Sequence, residues 1–156
     1  MSDTKRDAAG ASLPPPVTYL VGLVLGVSMG WILPVPFSTG WTGLLIAAAL
    51  IVVGIFLLAA AARAFSRSGT RLDPGEPTTR IVQSGPYAFS RNPIYLAFAF
   101  VYLGFALALS SVWAIVFLVP VLMFIDRNQI PREEAYLERK FGDEYRSYRS
   151  RVRRWL

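Results

Sequence analysis

Residues 41–62, WTGLLIAAALIVVGIFLLAAAA, are twenty-two consecutive residues without a charge. As a helix they would extend about 33 Å, enough to cross a hydrocarbon core of about 30 Å. A second uncharged run, 17–33 (VTYLVGLVLGVSMGWIL), sits at the short end of the spanning range. A third, from Asn92 to Ile125, is too long for one span, and Ser110-Ser111 makes a natural turn inside it. These runs predict spans at about 17–33, 41–62, 94–109 and 112–125. The last two would form a hairpin with short arms, with Tyr95 and Trp113 suited to the membrane interface. The fold class that follows is all-α, an integral membrane bundle of about four transmembrane helices.

Composition agrees. The 156 residues are 54% hydrophobic and only 17% charged, against about 25% charged in an ordinary soluble domain. There is no Cys and no His, which excludes a disulfide framework, a zinc-thiolate site, a cysteine nucleophile and a Ser-His triad. No metal site is expected. Any proton transfer falls to Asp, Glu, Tyr, Lys or the substrate.

The sixteen Lys and Arg residues are strongly partitioned. Two lie before the first span, five in segment 63–93 and nine in segment 126–156. The connections 34–40 and Ser110-Ser111 carry none. By the positive-inside rule, a multi-pass protein of this pattern in a bacterial-type inner membrane has both termini in the cytoplasm. The net charge of +6 then reflects orientation and contact with membrane lipids, and nucleic acid is not an expected partner.

Within this frame, residues 1–16 read as a mobile tail and 17–156 as a single membrane domain. Gly22, Gly26 and Gly30 form a small-residue face for close helix approach, with the Ala-rich second span as a smooth partner. Packing within the chain is favoured over homodimerisation. Pro120 should kink the fourth span or open its hydrogen bonding.

Two polar segments carry the chemistry. The cytosolic loop 63–93 is long for a helix–helix connection, and such loops are usually functional or disordered. It ends in Phe89-Ser90-Arg91-Asn92-Pro93-Ile94-Tyr95 at the mouth of span three. On spacing alone, Asn92 caps that helix, Arg91 snorkels to the headgroups and Tyr95 anchors. In the C-terminal helices, 131–156, Pro131 opens a helix with Glu133 and Glu134 in its first turn. Leu137, Phe141, Tyr145, Tyr148 and Val152 follow on one face, suiting a helix that lies on the membrane or covers the loop. Gly142-Asp143 should end one helix and begin the next.

From about Pro74 to Leu156 the chain resembles the bacterial branch of the isoprenylcysteine carboxyl methyltransferase family, within the wider group of phospholipid-methyltransferase-like membrane enzymes. The resemblance is carried by Gly85-Pro86-Tyr87, Ser90-Arg91-Asn92-Pro93-Ile94-Tyr95-Leu96, the short hairpin, Glu133-Glu134, Leu137, Phe141-Gly142, Tyr145, Tyr148 and Val152-Arg153-Arg154-Trp155. It implies S-adenosylmethionine bound on the cytosolic side, in a pocket covered by the C-terminal helices. It also implies that Thr79, Arg80, Ile81, Val82 and Tyr87 line the cofactor. Asn92, Pro93 and Tyr95 would lie near its methionine end, and Glu133 would contact its polar groups, the ribose among them. Two positions depart from the eukaryotic members. Asn92 stands where they have His, and Gln129 where they have a substrate-side Arg.

The function implied is methyl transfer from S-adenosylmethionine to a lipophilic or prenylated acceptor, by in-line displacement. Carboxylate O-methylation is favoured, with phospholipid or amine N-methylation open. Arg91 and Arg132 are the candidates for orienting an anionic acceptor (Arg127 is a further one), and Glu134 is the candidate base for an amine. Two alternatives stand beside this: a membrane lipid reductase using NADPH, and a non-enzymatic scaffold or partner subunit.

Overall fold

The computed structural model describes residues 13–68 and 80–156, and its described residues are helical with no strand. Helix α1 (Pro15–Ile32) and helix α2 (Gly40–Arg67) are followed by a short 3-10 turn (Gly85–Ala88). Then come α3 (Pro93–Ala108), α4 (Val112–Phe124), a π-helical turn (Ile125–Gln129), α5 (Ile130–Phe141) and α6 (Asp143–Arg151). By length and composition α1, α2 and the continuous helical run Val112–Phe141 can cross a membrane, while α3 has only sixteen residues. The chain is an all-α membrane bundle.

The two uncharged connections meet at one end. The Trp113 indole donates to the Leu33 carbonyl at 2.7 Å, and the Thr39 hydroxyl lies 3.3 Å from both the Leu107 carbonyl and the Ser110 hydroxyl. Ser110 turns the hairpin with a positive φ of 48°, and Ser111 caps α4 by accepting from the Ala114 amide. The ionic groups gather at the opposite end.

Small residues set the helix contacts. A Cβ on Gly54 of α2 would sit 2.7 Å from Val101 Cγ2 and 2.8 Å from the Ala97 carbonyl of α3. One on Gly104 of α3 would return the contact, 2.6 Å from Ile51 and 2.8 Å from the Ala47 carbonyl. Gly22 and Gly26 face Val121 and Ala114 of α4, so the small-residue face of α1 is used inside the chain, as expected. Its partner is α4, not the Ala-rich α2, whose own small residues meet α3 and the 3-10 turn.

Several boundaries differ from the sequence reading. Helix α1 begins at Pro15, inside the expected tail, because a proline suits the first helical positions. Residues 1–12 of that tail lie outside the described residues. Helix α2 continues past residue 62 to Arg67, so the loop begins later than residue 63. The largest difference is at Pro131, which does not open a helix. The Ile130 amide bonds to the Ile125 carbonyl, an i to i−5 step, and the helical run passes through Pro131 without a break. A π-turn shifts the hydrogen-bond register, which lets a helix accommodate a residue with no amide proton. Gly142, with φ of 54°, ends α5 as expected, and Asp143 starts α6.

Candidate active site

At the charged end, α2 runs on so that Ala61, Ala64 and Phe65 form an apolar seat for the returning loop. Val82 and Tyr87 are buried against it, and the rings of Phe65 and Tyr87 meet edge to face at 5.3 Å between centroids. The Tyr148 hydroxyl of α6 donates to the Tyr87 carbonyl at 2.8 Å. Burial pushes the Tyr148 phenol up to about 12, so it remains a neutral donor at physiological pH. The aromatic face of α5 and α6 therefore covers the loop.

The segment after α6 folds back along the start of α3. The Arg91 amide donates to the Arg153 carbonyl at 2.9 Å in a single parallel bridge between Ser90 and Arg153. The Asn92 side-chain amide donates to the Arg154 carbonyl at 2.9 Å. Asn92 thus occupies the cap position of α3 without capping it, because its side chain holds the neighbouring segment.

The interhelical ion network centres on Glu134. Its Oε1 forms an ion pair with Arg91 Nη1 at 2.9 Å, and its two oxygens accept from Arg154 Nε and Nη2 at 3.2 and 2.8 Å. Arg154 also reaches Asp126 Oδ1 at 3.4 Å, and the Trp155 indole donates to the same oxygen at 2.9 Å. The side chains of Arg91 and Glu134 are only 10% and 9% exposed. Arg91 therefore does not snorkel; it neutralises a buried carboxylate. Both oxygens of Glu134 already serve guanidinium donors, which makes it an ionic bridge and not the free base expected for an amine acceptor.

Glu133, one residue earlier, is differently placed. Its Oε1 accepts from the Tyr95 hydroxyl at 2.5 Å, and Tyr95 is buried instead of anchoring at the interface. The Tyr95 carbonyl in turn accepts from the Tyr19 hydroxyl of α1 at 2.8 Å. Burial, with the Glu134 charge adding to it, raises the Glu133 carboxyl above its ordinary range, against the lowering effect of the Tyr95 hydrogen bond.

These groups enclose a cavity of about 160 Å³. Of the residues singled out in the sequence, Tyr87, Arg91, Asn92, Pro93, Tyr95, Glu133 and Glu134 line it. Val82 is buried in one cluster with Tyr87 and does not line the cavity, Ile81 is half-buried, and Arg80 is exposed. Thr79 lies outside the described residues. Arg132 and Arg127 are exposed and do not line the cavity. Gln129 is buried away from it, its amide donating to the Leu13 carbonyl at 2.8 Å and to Thr18 Oγ1 at 3.1 Å. Sequence reasoning missed Phe65 and Ile94 as lining residues, and placed Leu137, Tyr145 and Tyr148 only on an apolar face. It also missed Arg154, whose partner Glu134 is twenty residues earlier in the chain.

A family model described as Phospholipid methyltransferase matches residues 42–144. That range contains α2, α3, α4, α5 and nearly all of the cavity lining. An uncharacterized protein of Haemophilus influenzae is 44% identical over 63 residues, which cover 40% of this chain and the whole of that relative. Protein-S-isoprenylcysteine O-methyltransferase of Schizosaccharomyces pombe is 36% identical over 72 residues, 46% of this chain but only 30% of that enzyme. No solved structure matches. The match across two thirds of the chain, on a membrane bundle with a cavity that Glu133 and Arg91 line at its charged end, assigns it: this chain belongs to the phospholipid methyltransferase family, a family of membrane methyltransferases.

Proposed function

We propose that this chain uses S-adenosylmethionine to methylate a lipophilic acceptor that reaches the cavity from the bilayer. The observation that carries this reading is the charge balance around the cavity. Arg91, Arg154, Glu134 and Asp126 are two cations and two anions in mutual contact. Glu133 is left with a neutral phenol as its partner among the described residues. A half-buried carboxylate with no counter-ion among the described residues, in a cavity walled by tyrosines, favours a cationic ligand. Two unit charges about 6 Å apart at an effective dielectric of about 20 attract by about 3 kcal/mol.

The lining fits S-adenosylmethionine in three respects. Glu133 offers acceptor capacity to an ammonium or to hydroxyls. Arg91 lines the cavity, and its guanidinium can donate to a carboxylate. The rings of Tyr87, Tyr145 and Tyr148 offer faces to a cation. When bound, the cofactor supplies an electrophilic methyl group on a positively charged sulfur. The cavity is smaller than the roughly 300–1,000 Å³ that encloses a drug-sized ligand, so it takes one end of such a molecule.

The acceptor class is supported by the names of the matching family and of the fission-yeast relative. One names a phospholipid and the other a prenylated cysteine, and both molecules carry long hydrocarbon chains. A carboxylate acceptor needs no base, which agrees with a chain lacking His and with a Glu134 already held by two arginines. O-methylation is therefore favoured over N-methylation. The distribution of Lys and Arg supports a cytoplasmic charged end.

The test is transfer of label from methyl-tritiated S-adenosylmethionine in proteoliposomes made with native lipid extract. Label in the organic phase that alkali releases would support an ester product, and alkali-stable label would move the reading to N-methylation. No label in any lipid fraction overturns it.

A further inference from the structure

Arg154 lies outside the cavity lining, yet it makes the most extensive contacts in the ion network. Its guanidinium grips both oxygens of Glu134 through Nε and Nη2, while Nη1 faces Asp126. Its carbonyl accepts from the Asn92 side chain and, at 3.4 Å, from the Ser90 hydroxyl. One residue therefore ties together three separate pieces: the π-turn through Asp126, α5 through Glu134, and the start of α3 through Asn92 and Ser90.

The consequence falls on Arg91. Only its Nη1 has partners among the described residues, Glu134 Oε1 at 2.9 Å and the Tyr145 hydroxyl at 3.5 Å. Its Nε–H is fully buried with none, while Arg91 itself is one of the residues lining the cavity. A buried guanidinium N–H without an acceptor is costly, and it persists only if the surrounding contacts prevent the side chain from rotating. A lone carboxylate offers many approach angles to a guanidinium. A carboxylate already gripped by a second, bidentate arginine leaves few.

We propose that Arg154 is a positioning residue: by fixing both oxygens of Glu134 it orients the Arg91 guanidinium that lines the cavity, so that Arg91 meets an anionic group of the ligand there. This rests on the proposed cofactor reading, since that reading supplies the ligand carboxylate. Glu134 becomes the relay between a residue that touches the ligand and one that does not. Arg91 binds; Arg154 aims it.

The experiment is calorimetric titration of S-adenosylhomocysteine into the full chain in lipid nanodiscs, with thermal unfolding of each variant alongside. Wild type should bind. Arg154→Ala should lose at least tenfold in affinity, Arg91→Met should lose a similar factor, and the double variant should be little worse than either. Millimolar methylguanidinium should restore most of the affinity to Arg154→Ala but none to Arg91→Met. Arg149→Ala, on the exposed side of α6, should bind as wild type does.

If wild type does not bind, the cofactor reading fails and takes this inference with it. If wild type binds and Arg154→Ala binds equally well, the positioning role alone fails. Weak binding by Arg154→Ala that methylguanidinium does not restore, with a lowered unfolding midpoint, also overturns the role, because it marks Arg154 as a general structural tie.

Discussion

The Tyr95 hydroxyl donates to Glu133 Oε1 at 2.5 Å, joining the first turn of α3 to the first turn of α5 across the floor of the cavity. Tyr95 also accepts on its carbonyl from Tyr19, so the acidic wall of the cavity is tied through one residue to α1. The carboxylate is thereby held half-buried against a neutral partner, a configuration suited to binding at the expense of stability.

That expense has a sign. Burial raises the Glu133 carboxyl in the folded state, so the folded chain holds its proton to a higher pH than the unfolded chain does. The stability this contributes is complete at acidic pH and is lost as pH rises through the raised value. Glu133→Gln keeps an oxygen for Tyr95 and removes the charge. The variant should unfold at a higher temperature than wild type at pH 8, and the difference should shrink towards pH 4.5. Thermal unfolding of ligand-free protein across that range checks it, and a variant uniformly less stable would refute it.

Glu134 should behave in the opposite way. Glu134→Ala leaves Arg91 and Arg154 facing each other without their shared anion, and breaking a buried pair in this way costs about 3–5 kcal/mol. The partial exposure of Arg154 places the expected loss at the lower end of that range. Arg91→Met should cost less, because Glu134 retains Arg154. Denaturation of the two variants in one detergent gives the order directly.

The α2–α3 interface should reject a side chain at Gly54. A Cβ there meets the Ala97 carbonyl at 2.8 Å, and backbone cannot swing aside as a side-chain tip can. Gly54→Val should cost about 1–3 kcal/mol or more by forcing the helices apart. Gly30→Ala, whose Cβ would find its nearest neighbour at 3.9 Å, should be neutral. Unfolding midpoints of the pair distinguish contact from mere helix propensity.

Tyr148→Phe removes the donor that pins the Tyr87 carbonyl beneath α6. A loss of about 1 kcal/mol in stability is expected, with faster amide exchange in residues 85–90. Unchanged exchange there would mean the loop is held by the Phe65 and Val82 packing alone.

The bundle was legible because a long apolar run without charge is a local signal, and 17–33, 41–62 and 92–125 display it without tertiary help. The positions around the cavity were legible through the ordered motifs from Gly85 to Tyr95 and at Glu133-Glu134. The roles of individual side chains were less so. Arg91 beside a bilayer suggests snorkelling, and only the fold brings Glu134 to it from 43 residues away. Pro131 suggests a helix start, since nothing local signals that a π-turn at Ile125–Gln129 will carry the helix through it. Arg154 looked like one more cation in a basic run, yet its neighbours Arg151 and Arg153 are exposed while it reaches Glu134 and Asp126.

The central claim is that the cavity binds S-adenosylmethionine through the charge of Glu133, which has no counter-ion among the described residues. Calorimetric titration of S-adenosylmethionine and S-adenosylhomocysteine into wild type and Glu133→Gln in nanodiscs tests it most directly. Wild type should bind both, preferring the cationic S-adenosylmethionine by about tenfold, which is about 1.4 kcal/mol. Glu133→Gln should bind more weakly and lose that preference. Absence of binding to wild type, or equal affinities and an unchanged preference in Glu133→Gln, would contradict it.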